Sequence, residues 1–399
     1  VNNSIKPLSG IRVLDLSRVL AGPWAGQILA DLGADVIKVE RPGSGDDTRA
    51  WGPPFLKSRD GEPMGAGYFM AANRGKRSIE LDLSTAEGQA IVKELAMDSD
   101  VLLENYKTGT LARYGLAWND LSAINPRLVY CSITGFGQSG PRAADPAYDF
   151  IIQAMGGLMS ITGVPDGEPG AGPQKVGIPI VDLMTGVYSA CAVLAALIGR
   201  AVTGHGTYID MAMLDVQVSV LSNQAMNYLL SNKAPVRTGN AHPNIQPQKV
   251  YSCGDGNIIL VVGNDKQYVD LCTALGRPEL ASDERFVNNA VRVANQPRLH
   301  AILDEIFASQ DRSFWLEKLA RAGVPAGPIN TIPEVFTEPQ VQHRDMLRYF
   351  ETPTVESIPQ VMSPFHFGGE RLSADTPPPF LGQHTDEILE ELAAKENLK

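Results

Sequence analysis

Between Glu168 and Asp210 the chain carries a single acidic residue, Asp182. It heads a nearly unbroken apolar run, Leu-Met-Thr-Gly-Val-Tyr-Ser-Ala-Cys-Ala-Val-Leu-Ala-Ala-Leu-Ile-Gly, over residues 183–199. Apolar on nearly every side, the run predicts a buried helix that stops at Gly199. It is shorter than a usual membrane crossing and is bracketed by Asp182 and Arg200, which favours the core of a globule over a bilayer. A carboxylate at the mouth of such a helix meets free backbone N–H groups and the positive end of the dipole, and both favour its charged form. Two readings follow. Asp182 is an N-cap, or it is a preorganised carboxylate nucleophile beside a loop rich in glycine (Gly167, Gly170, Gly172, Gly177) that lets a ligand approach.

The stretches around that helix set the fold class. Ile11-Arg12-Val13-Leu14-Asp15-Leu16 reads as a buried strand, residues 23–32 as a helix stopped by Gly33, and Asp35-Val36-Ile37-Lys38-Val39-Glu40 as a second strand. Residues 77–83, 101–104, 128–133 and 208–213 supply further strands. Ser84-Thr85-Ala86-Glu87 is a capping box that opens a helix with Ile91, Val92 and Leu95 on one face. Strands alternating with helices predict an α/β fold, with a mostly parallel sheet covered on both faces. The first βαβ unit invites a nicotinamide cofactor, but the loop from Ser17 to Pro23 lacks the G-x-G-x-x-G fingerprint that would seat the pyrophosphate. Residues 41–73 are rich in Gly and Pro and too long for a plain connection. Residues 214–230 read as a helix and residues 235–247 as a passage into a smaller α+β domain. That domain begins with a hairpin at Gly254-Asp255-Gly256, and helices follow at 267–275, 296–308 and 313–322. The proline-rich tail stays irregular until a helix at 385–394 and is expected to return to the first domain. The division is a large domain over 1–225, a small one over 226–325 and a tail over 326–399.

Composition narrows the functional classes. A 399-residue chain with net charge −11 disfavours nucleic acid and anionic membrane surfaces, so an anionic ligand needs local cations. Cys131, Cys191, Cys253 and Cys272 form no C-x-x-C pair, and none of the six histidines has a metal-ligand spacing. No metal site is expected. A reducing compartment is: the cytoplasm, or the mitochondrial matrix had a targeting segment been removed. Gly137-Gln138-Ser139-Gly140-Pro141 fails as a nucleophile elbow because Pro141 stands where a glycine is needed, which leaves a turn. His242 lies in a Gly/Asn/Pro loop, a placement more often structural than catalytic. Arg18 and Arg41 follow the first two strands at the edge where open α/β sheets bind ligands, and guanidinium forks there suit a phosphate-bearing ligand.

Several segments together resemble the family III CoA-transferases. They are Leu14-Asp15-Leu16-Ser17-Arg18-Val19-Leu20-Ala21-Gly22-Pro23, the stretch from Asp31 to Glu40, that from Asn73 to Asp82, Glu104-Asn105-Tyr106, Ala147-Tyr148-Asp149, the Asp182 segment and Pro377-Pro378-Pro379-Phe380-Leu381-Gly382-Gln383-His384-Thr385. The match is collinear from about residue 7 to residue 390. It is nearest the branch that contains succinate–hydroxymethylglutarate CoA-transferase and more distant from formyl-CoA transferase. The resemblance implies a Rossmann-like large domain, a ring-shaped chain interlocked with a second copy in a homodimer, and no permanently bound cofactor. Coenzyme A and acyl-CoA enter as substrates together with a small carboxylic acid. It implies that Asp182 attacks the donor thioester, forming an aspartyl anhydride and then an aspartyl-CoA thioester. It carries Tyr148 and Asp149 over as a pair near the chemistry, and Arg18, Val19, Leu20, Ala21, Arg41, Leu81, Asn105, Tyr106, Arg113 and Met213 as the CoA site. This chain departs from the pattern at Arg18 (histidine in relatives), at Ser84 and Pro146 (lysines), and in lacking a glycine flap. The extra guanidinium at Arg18 suits a dicarboxylic acceptor. The rivals are an α-methylacyl-CoA racemase, which needs a second base where Tyr148-Asp149 stands, and a CoA-binding protein without catalysis.

Overall fold

The structure, a computed structural model, describes residues 6–396. The chain packs as two compact units. One runs through Leu158, takes in Lys175–Ser231 and resumes at Pro339; the other comprises Met159–Gln174 and Asn232–Glu338. The division expected from the sequence keeps residues 159–174 with the large domain and returns the tail to it from residue 326, whereas residues 159–174 and 326–338 pack with the second unit.

In the first unit six strands form one wholly parallel sheet. Their order is Tyr208–Ala212, Val129–Thr134, Val101–Glu104, Arg12–Asp15, Asp35–Glu40, Lys76–Glu80. The first three strands of the chain lie to one side and the last three to the other, so the order reverses between Arg12–Asp15 and Val101–Glu104. A doubly wound sheet opens its binding crevice at that point. Period-two alternation buries both faces. Leu14, Ile37, Ile79 and Leu102 pack with Val92 and Leu95 of helix Ala86–Met97 and with Ile388 and Leu392 of helix Thr385–Glu396. Val13, Val36, Val101 and Leu103 pack on the other side with Ala25 and Leu29 of helix Ala21–Asp31, and with Ala190 and Val193 of the long helix Ile180–Thr203.

The long helix differs from expectation at its end and in its burial. It passes through Gly199 and stops at Gly204, whose φ of 77° and N–H bond to the Arg200 carbonyl make the left-handed cap. It is the one described helix long and apolar enough to cross a membrane. Its burial is confined to one face, with Val181, Thr185, Ala190 and Val193 covered and Val187, Tyr188, Ile198 and Val202 exposed. Two further expectations are corrected. Thr85 rather than Ser84 caps helix Ala86–Met97, accepting from the Gly88 N–H at 3.0 Å, because Ser84 is spent on Asp82. The helix expected over 214–230 breaks into Met213–Ser219 and Ser222–Ser231, with Ser222 at φ 50°.

The second unit carries an antiparallel hairpin, Gln248–Cys253 with Gly256–Val261, joined by strand Ala326–Pro328. Its helices Asp265–Leu275, Gln296–Ala308 and Arg312–Arg321 close over a core that includes Tyr251, Phe307 and Trp315.

Candidate active site

A close crossing positions the site. A Cβ on Gly186 would lie 2.7 Å from the Ala21 carbonyl oxygen and 2.9 Å from Trp24 Cδ1, so glycine alone lets the long helix approach helix Ala21–Asp31. One turn earlier on the long helix stands Asp182. It faces a cavity of about 370 Å³ lined by Val19, Trp51, Tyr68, Tyr148, Asp149, Phe150, Lys175, Gly177, Ile178, Pro179 and Asp182. The size suits an acyl group and its acid partner.

Asp182 is not the cap. Pro179 holds that position, and Asp182 is the third residue of the helix. The helix N–H groups serve the neighbouring acid instead. One Asp149 oxygen accepts from the N–H of Val181 at 2.7 Å and of Asp182 at 3.2 Å, while the other accepts from Gln153 Nε2 at 2.5 Å. Gln153 in turn accepts from the Val176 N–H at 2.9 Å, tying the preceding loop to the same frame. The sequence predicts a carboxylate at position 182 favoured in its charged form; the structure reverses this. Burial first, then the Asp149 charge, push Asp182 up to about 7. Tyr68 faces both acids, and burial followed by the charges of Asp182 and Asp149 pushes its phenol up to about 12, so it stays a hydrogen-bond donor. Trp51 meets Tyr68 edge-on with ring centroids 5.3 Å apart.

Of the residues expected at the site, Val19, Tyr148, Asp149 and Asp182 line this cavity. Tyr148 is 61 % exposed and ends in the N-cap of helix Asp149–Met155. Arg18, Asn105 and Tyr106 come together at the switch point of the sheet. The Arg18 guanidinium lies 5.1 Å from the Tyr106 ring centre and 3.6 Å from Asp47, while the Asn105 amide brackets the Arg18 backbone. Arg41, largely exposed, bonds Ser44 and lies 3.8 Å from the same Asp47. Arg113 is exposed on the short turn Leu111–Tyr114. Leu20, Ala21, Leu81 and Met213 are buried. Leu81 packs in the sheet core, and Met213 packs on Val181 and Ile152 directly behind Asp182. His242 accepts at Nδ1 from the N–H groups of Asn244 and Ile245, which makes it a turn fastener. Among the described residues no cluster of three or more His, Cys, Asp or Glu could hold a metal ion.

Trp51, Tyr68, Phe150, Ile178 and Lys175 were not legible as site residues. The one signal for the first two is the length of the 41–73 segment that carries them, and Lys175 lies seven residues before Asp182 with no pattern to mark it.

Comparison with known proteins bears on the family. The chain is 51 % identical over 98 % of its length, and 96 % of the relative's, to the succinate–glutarate CoA-transferase of Agrobacterium fabrum. It is 43 % identical to the human succinyl-CoA:glutarate CoA-transferase over 98 % of this chain and 87 % of that one. A crystal structure of a CAIB/BAIF family protein from Brucella suis superposes with a TM-score of 0.84 at 51 % identity, covering 97 % of this chain and 99 % of that chain. Residues 8–385 match CoA-transferase family III. Match, identity and fold agree over nearly the whole sequence, and the chain is a CoA-transferase that belongs to family III.

Proposed function

We propose that this CoA-transferase moves CoA from a succinyl-CoA-like donor to a dicarboxylic acid, and that Asp182 carries the acyl group. The observation that carries the reading is a half-buried carboxylate, pushed up to about 7, on the wall of a cavity of about 370 Å³ beside a second carboxylate. An oxygen of ionised Asp182 attacks the thioester carbon, the C–S bond breaks, and the thiolate of CoA leaves a mixed anhydride. The thiolate then attacks the aspartyl carbonyl and expels the donor acid, giving an aspartyl-CoA thioester. The acceptor carboxylate attacks that carbonyl, releasing thiolate and forming a second anhydride. Attack of the thiolate on the acceptor's acyl carbon yields the new acyl-CoA and restores Asp182. Asp149, with one oxygen held by the helix N–H groups and the other by the Gln153 amide, fixes the Asp182 backbone rather than reacting. Tyr68, protonated and facing both acids, is placed to donate to the carbonyl oxygen as negative charge develops on it. Trp51, Phe150 and Ile178 make much of the cavity lining apolar, and each is itself exposed to solvent in this chain.

Two relatives are named for succinate or succinyl-CoA with glutarate, which supports dicarboxylic substrates. A dianion entering a cavity with two acids needs a cation. Lys175 is the one cation among the described lining residues, whereas Arg18 lies outside the lining, tied to Asp47 and Tyr106. Lys175 therefore replaces Arg18 as the partner of the acceptor's second carboxylate. Lys175→Met should raise KM for dicarboxylic acceptors about tenfold, the worth of one charged hydrogen bond of ~1.5 kcal/mol. It should leave monocarboxylic acids of similar length unaffected; an equal change for both classes contradicts the assignment. The reading of CoA binding at the switch point rests on Arg18, Asn105, Tyr106 and Arg41. The interlocked homodimer is supported by the exposed apolar faces of Ile180–Thr203 and of Ser222–Ser231, where Met226, Tyr228, Leu229 and Leu230 are uncovered. The function as a whole is tested by chromatography of the thioesters formed when succinyl-CoA meets a panel of mono- and dicarboxylic acids, run beside Asp182→Ala. Persistence of exchange in that variant would refute the mechanism.

A further inference from the structure

Val19 adopts φ 69°, a left-handed conformation that a β-branched side chain avoids, and it does so on the wall of the Asp182 cavity. Such a conformation persists only where the surroundings over-determine it. Here they do. The Ser17 N–H donates to Asp15 at 3.0 Å and the Ser17 carbonyl accepts from Lys38 Nζ at 2.8 Å. The Arg18 N–H donates to Asn105 Oδ1 at 2.8 Å and its carbonyl accepts from Asn105 Nδ2 at 2.6 Å. The Val19 N–H donates to both oxygens of Asp46 at 3.2 Å. Asp46 is itself immobile. It is 1 % exposed, paired with fully buried Lys38 at 2.9 Å, and accepts from the N–H and hydroxyl of Thr48. A glycine at position 19 would take this backbone conformation freely. A chain that keeps valine there keeps a branched side chain on a residue that lines the same cavity as the reacting carboxylate.

We propose that Asp46 is a positioning residue that holds Val19 in this conformation so that the valine side chain walls the acyl intermediate off from water. The proposal rests on the reading that Asp182 carries the acyl group. An anhydride open to solvent loses its acyl group when water oxygen bonds to the acyl carbon and the bond to the aspartyl oxygen breaks. Free acid, CoA thiol and the aspartate are left, and the water's protons pass to thiolate and solvent. The wall makes transfer outrun that loss.

The test measures three quantities on the full chain with succinyl-CoA: transfer to a dicarboxylic acceptor, release of free thiol without acceptor, and melting temperature. Val19→Gly should melt at the wild-type temperature or slightly above it and transfer about tenfold more slowly. Its ratio of hydrolysis to transfer should rise at least tenfold, with KM for the thioester within twofold. A purely structural role would lower the melting temperature and leave that ratio alone. Asp46→Asn, which keeps an acceptor for the Val19 N–H but loses the charge facing Lys38, should shift the ratio in the same direction, and an unshifted ratio removes Asp46 from the device. Should that variant fail to fold, Val19→Ala decides, since it trims the wall while keeping a side chain at φ 69°. An unchanged ratio in both Val19 variants overturns the proposal. Asp182→Ala run alongside separates the two ideas: transfer surviving there refutes the nucleophile and leaves the Val19 ratio to be judged by itself.

Discussion

Asp182 illustrates how an acid's neighbours choose between structural and chemical roles. Had its carboxylate taken the helix N–H groups, it would be a stabilised anion and a poor reagent; Asp149 takes them instead. Two predictions follow at this scale. On the proposed mechanism the pH profile of kcat/KM should carry an acidic limb with a midpoint near 7, where Asp182 loses the proton that would keep it from attacking. Stability should run the opposite way. The folded-state pKa is raised above the unfolded one, so between about pH 4 and 7 the folded protein retains a proton that the unfolded chain has released, and stability falls as pH rises. Asp182→Asn should therefore gain stability above pH 7, on the order of 2 kcal/mol after allowance for partial exposure, and nothing near pH 4. Thermal melts of the two proteins across that range check it, and equal melts at pH 8 contradict it. The motif around Asp182 and the Tyr148-Asp149 pair were legible because local sequence carries them. Trp51 and Tyr68 were not, since they reach the cavity from far away in the chain, one just after the single turn Asp47–Ala50 and the other in the four-residue helix Gly67–Met70, and elements that short carry no periodicity. Nor does any sequence pattern mark a valine at positive φ, where the conformation costs about 1–2 kcal/mol.

Among elements, the crossing of helices Ala21–Asp31 and Ile180–Thr203 matters most, because Asp182 stands one turn before the contact at Gly186 and lines the same cavity as Val19. Gly186→Val would drive a side chain into the Ala21 carbonyl and Trp24, which the backbones can relieve only by moving apart. Overpacking of this kind costs about 1–3 kcal/mol. The expected result is a lower melting temperature together with a loss of transfer larger than the fraction unfolded explains; full activity in the folded variant would show that the crossing does not place the nucleophile. The strands were readable because both faces of a parallel sheet are buried, leaving continuous apolar runs such as Val101, Leu102 and Leu103. Helix ends were less so. Gly199 and Gly204 are alike in sequence, and only the left-handed turn at Gly204 distinguishes a stop from a residue in mid-helix.

At the scale of the molecule, the tail from Pro339 onward completes the first unit. Ile388 and Leu392 pack into the sheet core, Arg77 pairs with Asp35 and Glu391 at 2.7 Å and with Glu387 at 3.0 Å, and the Ser78 N–H donates to His384. Truncation before Pro377 should cost several kcal/mol from the two apolar side chains alone, at about 1.5–3 kcal/mol each, and should be visible as a large fall in melting temperature. A truncated chain that melts like the whole would show the tail to be dispensable. The sequence hinted at this return through its proline-rich, unrepetitive tail, but the pairing of Arg77 with residues some three hundred positions away leaves no local trace. The exposed apolar stripe on the long helix belongs to this scale too. Light scattering should give twice the chain mass, and Ile198→Glu should shift it toward one.

The central claim is that Asp182 takes the acyl group onto its own side chain. Incubation with succinyl-CoA and hydroxylamine, digestion and mass spectrometry of the peptide containing Asp182 test it directly. A hydroxamate at Asp182 that forms only when the thioester is present is the predicted result, and an unmodified Asp182 in enzyme that is turning over would contradict it.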